Sequence, residues 1–112
     1  MGLQENLKSP RFTKLKRGDA FNLNASLYRL MANPVRLAIL NLLYEGEISV
    51  DELTTCTKRR KVNISQHLAI LRHAGLVVAR REGKSVYYHI IDKHLVDPCK
   101  ILSRLRRSGK VR

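Results

Sequence analysis

The spacing of the apolar residues changes at Gly75, and this change limits the folds open to the chain. Before Gly75, apolar residues recur at intervals of three and four, which is typical of helices packed on a core. After it come two β-branched and aromatic segments, residues 76–81 and 85–91, joined by a connection that contains Gly83. This pattern predicts a β-hairpin. The chain is therefore predicted to be mainly helical with one small hairpin.

Pro34 divides the first half of the chain into two helices. The first is predicted to begin near residues 22–24 and to end at Asn33, because a proline disfavours helix in the residue before it. Pro34 itself suits a first helical turn. The second helix is predicted over residues 34–45. Apolar residues occupy nearly every face of this helix, which places it in the centre of the core.

A capping box marks the start of the next pair of helices. Ser49 is followed three residues later by Glu52, a spacing that satisfies backbone donors at a helix start. A short helix is predicted over residues 50–57 and a second one over residues 61–73. The basic run between them serves as the turn.

The last helix is predicted over residues 93–107, with Asp92 as its cap and an irregular first turn because Pro98 lies inside the pattern. The whole order is α-α-α-α-β-β-α, the layout of a winged helix-turn-helix domain. We assign this domain to residues 20–107. Residues 1–19 are predicted to be a flexible basic arm, and residues 108–112 a basic tail.

The charge indicates a polyanionic partner. The 112 residues carry 22 Lys and Arg against 9 Asp and Glu, a net charge of +13. The basic residues are concentrated between residues 57 and 84, with 8 basic and 1 acidic side chains, and at both ends. This distribution predicts nucleic-acid binding and not a membrane partner. No apolar run is long enough to cross a bilayer.

The helix over residues 61–73 is predicted to enter the major groove of duplex DNA, which admits one α-helix. Asn63 and Gln66 can each form paired hydrogen bonds with adenine, and Val62 can contact a thymine methyl group. The other predicted contacts near this helix are polar or basic: Arg59, Arg60, Lys61 and Ser65. The hairpin supplies basic side chains suited to a minor groove or its flanking phosphates: Arg80, Arg81 and Lys84.

Four segments resemble the ArsR/SmtB family of bacterial and archaeal transcriptional repressors over roughly residues 22–107. They read NPVRLAILNLL, ISVDEL, NISQHLAILRHAGLV and REGKSVYYHI. The resemblance implies a homodimer built on the first and last helices. It also implies binding to an inverted-repeat operator and release from that operator when an effector binds.

The family's metal sites are only partly matched. Where metal-sensing members carry a Cys-x-Cys box, this chain has Ser49 and Asp51. Asp92 and His94 match the first half of a site on the last helix, but Leu105 stands where a later ligand would be. A zinc site needs about four ligands. A metal ion is therefore the weaker effector hypothesis, and no cofactor is assigned.

Cys56 and Cys99 form the other effector hypothesis, a thiol or redox switch. Basic residues follow Cys56 and favour its reactivity. Whether the two thiols can approach each other stays open, and both can equally be small buried hydrophobic residues. Two cysteines are too few for a disulfide-rich secreted scaffold, so a cytoplasmic location is predicted.

The predicted function is that of a sequence-specific transcriptional regulator, a homodimeric repressor released from its operator by an effector. The alternative is an architectural or RNA-binding winged-helix protein without an effector. An enzyme is not expected, because the sequence contains no Gly-rich phosphate loop, no nucleophile elbow and no complete set of metal ligands.

Overall fold

The computed structural model describes residues 18–112, which belong to two units, one up to Leu30 and the other from Met31 onward. Helix α1 spans Gly18–Met31, and all of it except Met31 belongs to the first unit. This helix begins several residues before the predicted start near residues 22–24. Most of the predicted basic arm, residues 1–17, lies outside the described residues.

Helix α2, Pro34–Leu43, is the first helix of the second unit and begins at Pro34, as predicted. The side chain of Asn33 accepts hydrogen bonds from the backbone N–H of Val35 at 2.9 Å and of Arg36 at 3.1 Å. These bonds satisfy two of the donors that a helix start leaves free. The helix ends two residues before the predicted position. Its buried residues are Val35, Ile39, Leu40 and Leu43.

The helix-turn-helix consists of α3, Val50–Thr57, and α4, Lys61–His73. The predicted capping contact is present, since the Ser49 hydroxyl accepts a hydrogen bond from the N–H of Glu52 at 3.1 Å. The Ser49 hydroxyl in turn donates a hydrogen bond to the Glu52 carboxylate at 3.3 Å.

The sheet has three antiparallel strands in the order β1-β3-β2, one more than the predicted hairpin. Strands β2, Val77–Glu82, and β3, Ser85–Ile90, form the wing and are joined by a two-residue turn. Gly83 has φ +61° in that turn, which suits the first central position of a type II′ hairpin. The additional strand β1, Ile48–Ser49, pairs with β3. It is too short to show an alternating pattern of its own.

The chain after the wing forms a 3-10 turn, Lys93–Val96, and helix α5, Asp97–Arg107. Asp92 caps the turn by accepting a hydrogen bond from the N–H of His94 at 2.9 Å. Pro98 lies in the first turn of α5, so the predicted irregular start is confirmed.

The core of the second unit lies between α2, α3, α4 and the wing. Its fully buried side chains include Ile39, Leu40, Leu43, Leu53, Ile64, Leu68, Leu71, Val77 and Val96. None of the helices between residues 18 and 112 is both long and apolar enough to cross a bilayer.

Candidate nucleic-acid interface

Helix α4 has one face in the core and the opposite face in solvent. Ile64, Leu68 and Leu71 are 0% exposed. The residues on the other face recur at intervals of four and therefore lie side by side. The exposed residues of this face are Lys61, Val62, Ser65, Gln66 and Ala69. Val62 is 66% exposed, so its apolar side chain is accessible to a ligand on this face.

Asn63 differs from its neighbours among the predicted contacts. The residue is half-buried, and its side-chain oxygen is buried with no hydrogen-bond partner within the described residues. Paired hydrogen bonds to adenine need both the oxygen and the NH₂ group of an amide. In this conformation Asn63 therefore offers less to a base than Gln66, which is exposed.

The turn between α3 and α4 projects basic side chains. Lys58 has φ +56°, and it is the one non-glycine residue with positive φ in residues 18–112. Arg59 and Arg60 follow and are both exposed. Arg60 occupies the cap position of α4 without a side-chain capping bond. Both residues thus directly precede α4, and Arg59 also lines a groove beside α2.

The wing carries its three predicted contacts at different distances from the turn. Lys84 lies in the turn itself, and Arg81 pairs with Val86 one step away. Arg81 and Lys84 are exposed, and neither forms an ion pair with any residue from 18 to 112.

Arg80 is exposed, but its guanidinium group is already paired with carboxylates of its own chain. It pairs with Glu47 through two hydrogen bonds, of 2.6 and 3.1 Å, and with Glu82 through a third at 2.7 Å. Its guanidinium carbon lies 5.0 Å from the centre of the Tyr87 ring. The hydrogen bond from Arg80 lowers the pKa of Glu47, and the same bond, together with that to Glu82, raises the pKa of Arg80. This network ties the wing to the segment before β1.

A cleft brings the two predicted contact regions together. It has a volume of about 160 Å³ and is lined by Lys61 and Ser65 of α4 and by Lys84 and Ser85 at the wing turn. Asp51 also lines it, and the Asp51 carboxylate lies 3.3 Å from the ammonium nitrogen of Lys61. Sequence reasoning missed Asp51, because an acidic residue in a first helical turn is common for electrostatic reasons alone.

His67 links the middle of α4 to α2. Its Nδ1 accepts a hydrogen bond from Nε of Arg36 at 3.2 Å. Burial lowers the pKa of His67, and the charges of Arg36 and Arg59 lower it further. The neutral ring is the form that this contact requires.

The two cysteines are free thiols on different helices. Cys56 is exposed on α3 and lines a groove of about 530 Å³ beside α2. Cys99 is half-buried on α5, where its sulfur lies 3.6 Å from the amide nitrogen of Asn41. Asn41 also lines the groove that Cys56 lines, whereas Cys99 does not line it.

The metal candidates Asp92 and His94 are engaged locally. Asp92 caps the 3-10 turn, and Nδ1 of His94 lies 3.0 Å from the carboxylate of Asp97. Among residues 18–112, no group of three or more His, Cys, Asp or Glu side chains is arranged to hold a metal ion.

Comparison with known proteins identifies relatives of this domain. A family model described as bacterial regulatory protein, arsR family, matches residues 33–78. The arsenical resistance operon repressor of Escherichia coli K12 is 40% identical over 72 residues, which are 63% of this chain and 62% of the repressor. The chain therefore spans less than two thirds of that relative. An HTH-type transcriptional regulator of Methanocaldococcus jannaschii is 37% identical over 82 residues, 72% of this chain and 92% of that protein.

Among solved structures, the homodimeric winged helix-turn-helix DNA-binding domain of a Mycobacterium bovis protein is similar with a TM-score of 0.70. It is 30% identical, and the match covers 91% of this chain and 93% of that chain. This likeness confirms the predicted fold class, a mainly helical winged helix-turn-helix domain with a small β-hairpin.

Proposed function

The chain belongs to the arsR family of bacterial regulatory proteins, and we propose that it is a sequence-specific DNA-binding transcriptional regulator, acting as a homodimeric repressor. Its relatives are transcriptional regulators, so the family is not one of enzymes, in agreement with the expectation from the sequence. A cytoplasmic location, without a membrane partner, follows from this proposal.

The observation that carries the proposal is the continuity between α4 and the wing turn. The outer face of α4 meets the turn across one cleft, which Lys61, Ser65 and Lys84 all line. A helix in the major groove and a basic turn beside it can then follow one duplex. The 8 basic residues between residues 57 and 84 supply attraction for the backbone phosphates.

Two groups of residues have different roles in this proposal. Val62, Ser65 and Gln66 read bases, with Asn63 contributing through whichever amide atom it exposes. The basic groups of the turn and wing position the protein on phosphates: Arg59, Arg60, Lys61, Arg81 and Lys84. Arg80 is assigned to the same surface, but its two carboxylate partners make it a weaker phosphate ligand than Lys84.

The proposed homodimer uses the first and last helices. Helix α5 has no buried residue, and its apolar side chains Ile101 and Leu102 are 45% and 47% exposed. A second copy would cover this face. Two α4 helices related by a two-fold axis would then read an inverted-repeat operator, with half-sites about 34–36 Å apart.

We propose a thiol as the first route for an effector and a metal ion as the second. Cys56 is accessible, and Cys99 contacts α2 next to the groove that Cys56 lines. Chemical change at either sulfur would alter how α2 packs against α3 or α5. The metal route would use Asp92 and His94 with ligands from elsewhere.

Selection of duplexes from a random pool, with the purified protein reduced, oxidised or supplied with Zn²⁺, tests the function and the effector together. We expect an inverted repeat bound at least about 10³-fold more tightly than random duplex, and weaker binding in one of the three conditions. If no sequence motif emerges, and affinity falls with salt concentration but does not depend on the DNA sequence, the repressor proposal is wrong. An architectural or RNA-binding role would then take its place.

A further inference from the structure

The cleft between α4 and the wing turn has the polar lining of an anion site. Two lysines and three serines contribute to its surface: Lys61, Lys84, Ser49, Ser65 and Ser85. The Ser49 hydroxyl is engaged with Glu52, which leaves Ser65 and Ser85 for a ligand. Its volume of about 160 Å³ is several times the roughly 30 Å³ that one water molecule occupies in the liquid. The cleft therefore has room for a group of several heavy atoms.

One carboxylate already lies among these donors. The side chain of Asp51 is 76% exposed and that of Lys61 is 67% exposed, yet the two approach to 3.3 Å. An ion pair this exposed contributes little to stability because water and salt screen it. A stronger anion can displace the carboxylate at small cost.

We infer that the cleft binds one phosphodiester group of the DNA backbone and that Asp51 is a resident competitor that this phosphate displaces from Lys61. The inference rests on the proposed DNA-binding function and concerns the same surface. A phosphate at this position would lie where the duplex passes from the groove occupied by α4 to the groove beside the wing. Lys61 and Lys84 would contact it as cations, and the two serine hydroxyls would donate hydrogen bonds.

Asp51 then weakens binding to every duplex by the same factor. A phosphate carries no base identity, so competition for it lowers affinity without changing the preference for one sequence. Asp51 would shorten the time that this strongly basic protein spends on random DNA. It would lower the affinity for the operator by the same factor.

The test compares Asp51→Asn with Glu45→Gln. Each substitution removes one negative charge, but Glu45 lies at the end of α2, is exposed, and does not line the cleft. Asp51→Asn should tighten binding to the selected duplex and to a scrambled duplex alike, by roughly fivefold, the value of one contact between charges in water. Glu45→Gln should change both by less than about twofold, because distant exposed charges are screened.

A double-mutant cycle with Lys61→Gln establishes whether Asp51 acts through Lys61. In the Lys61→Gln background, the gain from Asp51→Asn should fall towards that of the Glu45 control. Equal gains from Asp51→Asn and Glu45→Gln in the wild-type background would overturn the inference and leave DNA binding intact. Failure of the wild-type protein to bind any duplex would instead overturn the proposed function.

Inorganic phosphate separates the two possible sources of the anion. At matched ionic strength, duplex DNA should shift the backbone amide resonances of Ser65 and Ser85, and adding inorganic phosphate to the DNA-bound protein should shift them no further than chloride does. A further saturable shift with inorganic phosphate in the DNA-bound protein would show that the cleft stays open to the free ion. That result would overturn the assignment to the DNA backbone.

Discussion

Helices α4 and α5 are both amphipathic and differ by only two residues in length, yet they use their apolar faces in opposite ways. Helix α4 buries Leu68 and two further apolar residues completely within its own chain. Helix α5 buries none, and Ile101 and Leu102 remain about half exposed. The apolar face of α4 is therefore satisfied, so its polar face is the one left for a ligand. The apolar face of α5 is only partly covered in the second unit, so it is the face that the proposed dimer would use.

The largest effect should come from the buried face of α4. Leu68→Ala removes a fully buried side chain and should lower the free energy of unfolding by about 2–5 kcal/mol, because the cavity cannot close completely. Urea denaturation at low protein concentration measures it. Leu102→Ala is the matched control and should cost less than about 1 kcal/mol, since its side chain stays partly in water. Similar losses for the two variants would remove the contrast between the helices.

The exposed face of α5 should govern assembly and not folding. Replacing both Ile101 and Leu102 by serine should weaken dimerisation by at least about 100-fold, because each side chain would be buried once in each copy. Analytical ultracentrifugation gives the dissociation constant, and circular dichroism checks that the monomer stays folded. Arg104→Ser, on the same helix, should leave the dimer unchanged. A dimer that survives the double substitution would exclude this face as the interface.

The polar face of α4 should differ from the wing turn in what it contributes to DNA binding. Gln66→Ala should reduce the binding free energy for the selected duplex by about 1–3 kcal/mol and relax the preference at one base pair. Lys84→Ala should weaken all duplexes alike and reduce the slope of log affinity against log salt by about one. Fluorescence anisotropy on selected and scrambled duplexes measures both effects. If each variant loses the same factor on both duplexes, reading and positioning are not divided in this way.

Local signals predicted the elements of the fold well. The cap at Ser49, the turn at Gly83 and the irregular start around Pro98 all depend on residues within three or four positions of each other. The exposed face of α4 followed from helical spacing alone. These features could be predicted because their physical causes lie within one turn of the chain.

Contacts across long sequence separations could not be predicted in this way. The contact of Arg80 with DNA stays a prediction, but its ion pair with Glu47, 33 positions earlier in the chain, gave no signal in the sequence. The pairing of β1 with β3 is equally distant, and the approach of Asp51 to Lys61 depends on how α3 packs against α4. The buried oxygen of Asn63 also depends on packing that its spacing does not reveal.

The smallest effect concerns His67, which lies between the two faces of α4. Its pKa is lowered from the ordinary 6.5 by burial and by Arg36 and Arg59, so the unfolded chain takes up this proton first as the pH falls. Stability should therefore decrease as the pH is lowered through 6.5 and stop decreasing below the folded-state pKa.

His67→Gln should remove this part of the pH dependence, since glutamine has no proton to bind in that range. Urea denaturation between pH 5 and 8, the range in which a histidine changes charge, measures the effect. His73→Gln removes a different histidine from α4 and leaves the Arg36 contact in place, so it should keep the wild-type dependence. If His73→Gln removed the dependence of stability on pH and His67→Gln did not, the hydrogen bond between Arg36 and His67 would have no part in the loss of stability at low pH.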